Sequence, residues 1–182
     1  MDILDQIKNS LDANYNLNKE IKVKLFELVI ILHNKFPKLN LDKLNKKLKT
    51  VKIGRISKFE KKGTYSYDVI KNEILFSSNK LVDDYDLDHL FMKAILEMTA
   101  STDKYTGFKS DEKLRALNEA YTEILANYLI GNEGISDLEE EILVTNLISH
   151  VVGKDVMFDS YFSNNGKPII EAMVKAEMGA VI

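Results

Sequence analysis

Carboxylates spaced one helical turn apart, with a lysine in a neighbouring segment, are the most chemically capable residues of this chain. Residues 117–123 read Leu-Asn-Glu-Ala-Tyr-Thr-Glu, so a helix there sets Glu119 and Glu123 on one face. Upstream, residues 90–101 read Leu-Phe-Met-Lys-Ala-Ile-Leu-Glu-Met-Thr-Ala-Ser, which puts Lys93 and Glu97 at i and i+4. Glu97, Glu119 and Glu123 together would suit a hard cation. A catalytic zinc site on a helix asks for other residues. It needs two histidines at i and i+4, a glutamate beside the first as general base, and a third ligand from elsewhere. The three histidines, His33, His89 and His150, form no such pair. His89 with Lys93 gives only His-x-x-x-Lys, with Leu90 where the base would stand. The chain has no cysteine, which excludes disulfides, thiolate metal sites and cysteine nucleophiles. It also has no Gly-rich phosphate loop, nucleophile elbow or Ser-Lys motif.

The elements that must position these residues follow from hydrophobic spacing. Lys93 and Glu97 lie in a predicted helix over residues 86–100, with Leu87, Leu90, Phe91, Ala94, Ile95 and Met98 on its buried side. A loop over 101–110 carries the pair Gly107-Phe108, and a long helix over 111–130 ends at Gly131-Asn132. Before them, Leu25, Val29, Leu32 and Phe36 mark one face of a helix over 21–36, closed by Phe36-Pro37. Asn40 then caps a short basic helix through Leu48. Residues 50–59 read as an exposed or edge strand. After a turn at Lys62-Gly63 comes a hairpin of 64–69 and 73–77. Downstream, Ser136 caps a helix with Asp137, Glu139, Glu140 and Glu141 in its first turn. That helix ends near Val152-Gly153, and helices over 154–162 and from about Pro168 follow. The reading is an α+β single domain. Residues 1–48 supply N-terminal helices, 50–77 a small antiparallel sheet, 86–130 the helix pair with the reactive residues, and 136–182 the C-terminal helices.

Composition narrows the class. With 182 residues, 45% hydrophobic and 29% charged, the chain can bury a core without staples. Residues 1–18 lack the basic-then-apolar pattern of a leader, and the longest apolar run, 28–32, is too short for a bilayer. The expected location is cytoplasmic, with no membrane partner. The net charge of −3 conceals a basic stretch: residues 38–62 hold ten Lys or Arg against Asp42 and Glu60, a local +8 that leaves −11 elsewhere. Such a stretch can bind nucleic acid. The favoured reading is a solvated helix face and a strand edge guarded by lysines, because few aromatics interleave the charges. Tyr65 and Tyr67 read as sheet-face packing, and the acids of residues 83–88 as helix N-terminal charge rather than a calcium loop.

A family resemblance rests on the two reactive segments. Leu90-Phe91, then Met98-Thr99-Ala100-Ser101, then Gly107-Phe108, then Leu117-Asn118-Glu119-Ala120-Tyr121-Thr122-Glu123 resemble the minimal gluzincins, small zinc metallopeptidase-like proteins of low-GC bacteria. The likeness runs from about Leu39 onward and takes in Val152-Gly153-Lys154-Asp155 and Tyr161-Phe162. It implies a zincin-like fold: a hairpin packed on an active-site-type helix pair, with a helical C-terminal part. It also implies that Glu119 stands at the third zinc ligand and Glu123 at the acid that orients a ligand histidine. The same alignment puts Lys93 at the first ligand histidine, Ala94 at the general base, Glu97 at the second histidine, and Ala120 at a usual glycine. A protonated lysine cannot ligate zinc and alanine cannot accept a proton. The expectation is a degenerate site of Lys93, Ala94, Glu97, Asn118, Glu119 and Glu123, with zinc lost and no cofactor. Lys93 would act as a built-in cation for the three glutamates. Tyr121 is a candidate for the cleft. The implied function is a pseudoenzyme that binds a protein or peptide. The alternatives are a metal-dependent hydrolase with a non-standard site and a nucleic-acid binder through residues 38–62.

Overall fold

The computed structural model describes residues 2–56, 65–77, 84–131 and 138–179. Helix α4 (Asp84–Thr99) is the axis of the fold. Across residues 90–100 every position except Lys93 is buried, so the helix must be wrapped on all sides. Helices α2 (Lys19–Lys35), α3 (Asp42–Leu48) and α5 (Leu117–Ile130) pack on it, with strand β2 (Tyr65–Asp68) alongside. Helix α1 (Ile3–Asp12) starts on an Asp2 cap and buries Ile7 and Leu11. At its exit the buried Asn14 donates from Nδ2 to the carbonyls of Leu48 and Val51, 2.9 Å each, and so fastens the N-terminus to the start of the sheet. Asn18 caps α2 through Ile21 N, and the helix stops before Pro37 as expected. Asn40 accepts from Asp42 N at 2.8 Å, although Leu41 holds the cap position of α3.

Strands β1 (Lys52–Ile56) and β3 (Glu73–Ser77) complete a three-stranded sheet of order β1-β3-β2. The hairpin is as expected: β2 and β3 are antiparallel, with Tyr65 opposite Phe76 and Tyr67 opposite Ile74. Its turn is set by Asp68, whose Oδ1 accepts from Ile70 N and Lys71 N, and by Asn72 at φ +52°. β1 lies at an edge but runs parallel to β3, so the sheet is mixed and not antiparallel throughout. Asn72 supplies the cause. Its carbonyl accepts from Lys52 N, and its side chain donates to Lys47 O and Thr50 Oγ1. The entries of β1 and β3 are thereby clamped together, and both strands leave in the same direction.

The expected helix over 111–130 is shorter in fact. Residues 111–116 are turns built on Asp111, which takes its N–H to Phe108 O and accepts from Lys113 N and Leu114 N. Such local bonds compete with helix formation, and α5 starts only at Leu117. It ends at Gly131 with φ +79°, the left-handed closure expected there. Helices α6 (Glu139–Val152), α7 (Lys154–Ser163) and α8 (Lys167–Gly179) follow, α6 and α7 being separated by Gly153 at φ +96°. One hydrophobic cluster extends from Ile7 to Ile169. The architecture is α+β, mostly helical with one small sheet. Among the described residues no helix is long and apolar enough to cross a membrane. The turn at Lys62-Gly63, the end of the strand expected to reach 59, and the Ser136 cap lie outside the described residues.

Candidate functional site

Lys93, the one incompletely buried residue in the middle of α4, opens on a cleft of about 70 Å³. β2 supplies Tyr65 and Tyr67 to its wall, α4 supplies Lys93 and Glu97, α5 supplies Glu119 and Thr122, and Lys109 comes from the 3-10 turn Gly107–Ser110. α4 and α5 are packed side by side with their reactive residues in two pairs. In the first, Lys93 Nζ donates to Glu123 Oε2 at 2.8 Å, while His89 Nε2 bonds Glu123 Oε1 at 2.7 Å. Lys93 also stands over the Tyr65 ring, 5.4 Å from its centroid. In the second, Lys109 Nζ lies 3.7 Å from Glu97 and 3.5 Å from Glu119. Tyr65 OH donates to Glu97 Oε2 at 2.6 Å, and Thr106 Oγ1 approaches Oε1 at 3.4 Å.

The two buried glutamates titrate in opposite directions. Burial raises the Glu97 carboxyl, and the opposing pulls of Lys109, the Tyr65 hydroxyl and Lys93 do not cancel it. Burial also acts on Glu123, but the hydrogen bonds from His89 and Lys93 and the charge of Lys93 outweigh it and bring that carboxyl down to about 2. Burial likewise lifts Tyr65 well above the ordinary phenol range, so it remains a neutral donor to Glu97.

Of the residues singled out from sequence, Lys93, Glu97, Glu119 and Glu123 lie near one another on α4 and α5 but in two charge groups, Lys93 with Glu123 and Lys109 with Glu97 and Glu119. Lys93 does bridge α4 and α5, but through Glu123 alone; Glu119 is largely exposed and is served by Lys109. Ala94 is fully buried and faces away from the cleft lining. Asn118 is a packing residue: its Oδ1 accepts from Phe108 N at 2.8 Å, and its Nδ2 is buried without a partner. Tyr121 does not reach the cleft. It is buried against Phe108 and Tyr161, ring centroids 5.3 and 5.2 Å away, because its helix position faces the C-terminal helices. Tyr65 and Tyr67, read as packing residues, both line the cleft; Tyr67 OH donates to Asn72 Oδ1 at 2.7 Å. Lys109 joins the site although neither spacing nor the resemblance points to it. Its one sequence signal was adjacency to the Gly107-Phe108 pair. Of the basic stretch, Lys47 is spent on Val69 O and Lys43 on Asn164 Oδ1.

No family model, curated protein or solved structure matches the chain. A zinc ion can be tested against the donors alone. Glu123 has both oxygens committed to His89 and Lys93, and Glu97 is held by Tyr65 with an ammonium beside it. Among the described residues no three His, Cys, Asp or Glu side chains converge as a metal-holding group. This donor set does not fit zinc.

Proposed function

We propose that this chain is a non-catalytic, gluzincin-like protein whose cleft between β2 and the α4–α5 pair receives an extended segment of a partner protein. The observation that carries the reading is the Lys93 ammonium seated on Glu123, at the position the resemblance assigns to a zinc-ligand histidine. A buried carboxylate left by a departed dication needs a counter-charge, and a lysine on the facing helix is the simplest replacement. β2 is an edge of the described sheet and presents Tyr65, Ser66 and Tyr67 to the cleft, an arrangement suited to strand addition. The test is elemental analysis of protein purified without chelator, together with thermal melting in EDTA and in added zinc. The expected result is substoichiometric metal and an unchanged midpoint. A zinc-dependent rise in midpoint would overturn the reading. Peptide engagement is read separately, as chemical-shift changes confined to β2 and α4 when extended peptides are titrated in.

A second reading has one observation in its favour. Glu97 is a buried carboxyl with raised pKa facing a cleft, the profile of a proton-transfer group. A hydrolase built on it would lose turnover in Glu97→Gln while keeping its fold. Binding of nucleic acid draws less support, because two of the lysines it would use already serve intramolecular acceptors.

A further inference from the structure

The cleft between β2 and the α4–α5 pair is small. At about 70 Å³ it has room for the end of one side chain, whereas a site for a whole small-molecule ligand takes about 300 Å³ or more. The charges on its wall decide which side chain fits. Glu97 is 5% exposed, and its two oxygens are treated differently. Oε2 accepts a short bond from Tyr65 OH at 2.6 Å. The contacts of Oε1 among the described residues are long: Thr106 Oγ1 at 3.4 Å and Lys109 Nζ at 3.7 Å. A charge-assisted bond from an ammonium to a carboxylate is about 2.7–2.9 Å long. Neither contact of this buried oxygen comes that close.

Lys109 serves the pair of glutamates from a distance. Its ammonium lies 3.7 Å from Glu97 and 3.5 Å from Glu119, and its side chain is 32% exposed. It is carried by a 3-10 turn and not by either helix of the pair. A lysine held this loosely swings into water at small cost, since an exposed ion pair is worth about 1 kcal/mol or less. Lys93 is not open to the same exchange, because it sits at 2.8 Å on Glu123. With Lys93 matched by Glu123, the charged residues left on the wall are Glu97 and Glu119, facing Lys109. Two carboxylates that share one distant ammonium suit a cation and repel an anion. A closer ammonium would also hold Glu97 ionised against the burial that raises it. We propose that a lysine of the partner segment enters the cleft, displaces the Lys109 ammonium and donates to Glu97 and Glu119; this rests on the reading of the cleft as a peptide groove. In the free protein Lys109 stands where the partner's lysine will go.

The test is fluorescence anisotropy on the full chain with labelled pentapeptides of valine and threonine that differ only at the central residue: lysine, norleucine or glutamate. The lysine peptide should bind about tenfold tighter than the norleucine peptide, and the glutamate peptide weakest. Glu119→Gln alters a side chain that is 65% exposed, so its circular dichroism should match the parent. It should weaken the lysine peptide about threefold, the worth of one exposed ion pair, and leave the norleucine peptide unchanged. Lys109→Met keeps the aliphatic stem and removes the competing ammonium, so it should tighten the lysine peptide. Equal binding of the three peptides overturns the lysine assignment and leaves the groove standing. A preference for the glutamate peptide that is lost in Lys109→Met also overturns it, and makes Lys109 a receptor for a carboxylate. Binding of none of the three removes the groove itself, and the lysine assignment with it.

Discussion

Replacing Lys93 by methionine would strip Glu123 of its charge partner while leaving the aliphatic stem in place. Both side chains are mostly buried, and Glu123 would keep only its bond to His89, so the variant should lose about 2 kcal/mol in urea unfolding, the worth of a hydrogen bond to a charged group. Adding Glu123→Gln to that variant should recover much of the loss, since the coupling lies in the pair and not in either residue. The two glutamates also predict a pH signature. The Glu123 carboxyl is depressed in the folded state, so its stabilisation is present above the ordinary carboxylate range and is lost as pH falls from about 4.5 towards 2. In Glu123→Gln that acid limb should flatten. Glu97 carries the opposite sign. Its carboxyl is raised on folding, so it favours the fold at low pH and opposes it as pH rises through its folded value. Relative to the parent, Glu97→Gln should therefore gain stability between acid and neutral pH, which chemical denaturation at a series of pH values would read directly. The opposite slope would show that Tyr65 and Lys109 together, rather than burial, govern that group.

At the scale of elements, the approach of α5 to α7 depends on Gly107. It sits at φ +50°, and a Cβ there would drive into the Tyr161 ring and the Asn118 side-chain oxygen. Gly107→Ala should destabilise by roughly 2 kcal/mol or more from backbone strain and overlap together, a fall of several degrees in melting midpoint. The Gly107-Phe108 pair stood out in the sequence only as a family-like landmark; its physical task is to bring Phe108 N to Asn118. Elements with strong periodicity were legible in advance. The helical course of α4, the hairpin that contains 65–68 and 73–77, the Phe36-Pro37 stop and the Gly131 closure each follow from local spacing or backbone chemistry, whereas the burial of α4 on all sides, Met92, Leu96 and Glu97 included, does not. Features set by distant partners were not. Nothing local in residues 50–56 specifies that β1 runs parallel to β3, because that choice is made by the Asn72 side chain reaching Lys47 and Thr50. α5 starts later than its periodicity predicts because Asp111 spends its bonds on a turn. In the site, Glu119 and Glu123 follow from their i, i+4 spacing, whereas Lys93 and Glu97 are picked out by the family resemblance. Lys109 and Tyr65 come from a turn and a strand, and no periodicity connects them to α4.

Taken as a whole, the molecule is organised around one buried helix that neither terminus can leave alone. Asn14 shows the dependence at the front end: its amide donates to two carbonyls, at Leu48 and Val51. A chain lacking residues 1–14 would forfeit those bonds and the Ile7 and Leu11 packing. Its expected behaviour is a broadened, early melt in circular dichroism, and an unchanged midpoint would show that α1 is an accessory. The order β1-β3-β2 has a further consequence during synthesis. The strand at the centre of the sheet is the last of the three to emerge from the ribosome, so β1 reaches the tunnel exit with no neighbour to pair with. Until residues 73–77 follow, the nascent chain displays Val51 and Ile53 on an open template. Lys52 and Arg55, interleaved with them, repel a second nascent chain while the first waits for its own partner.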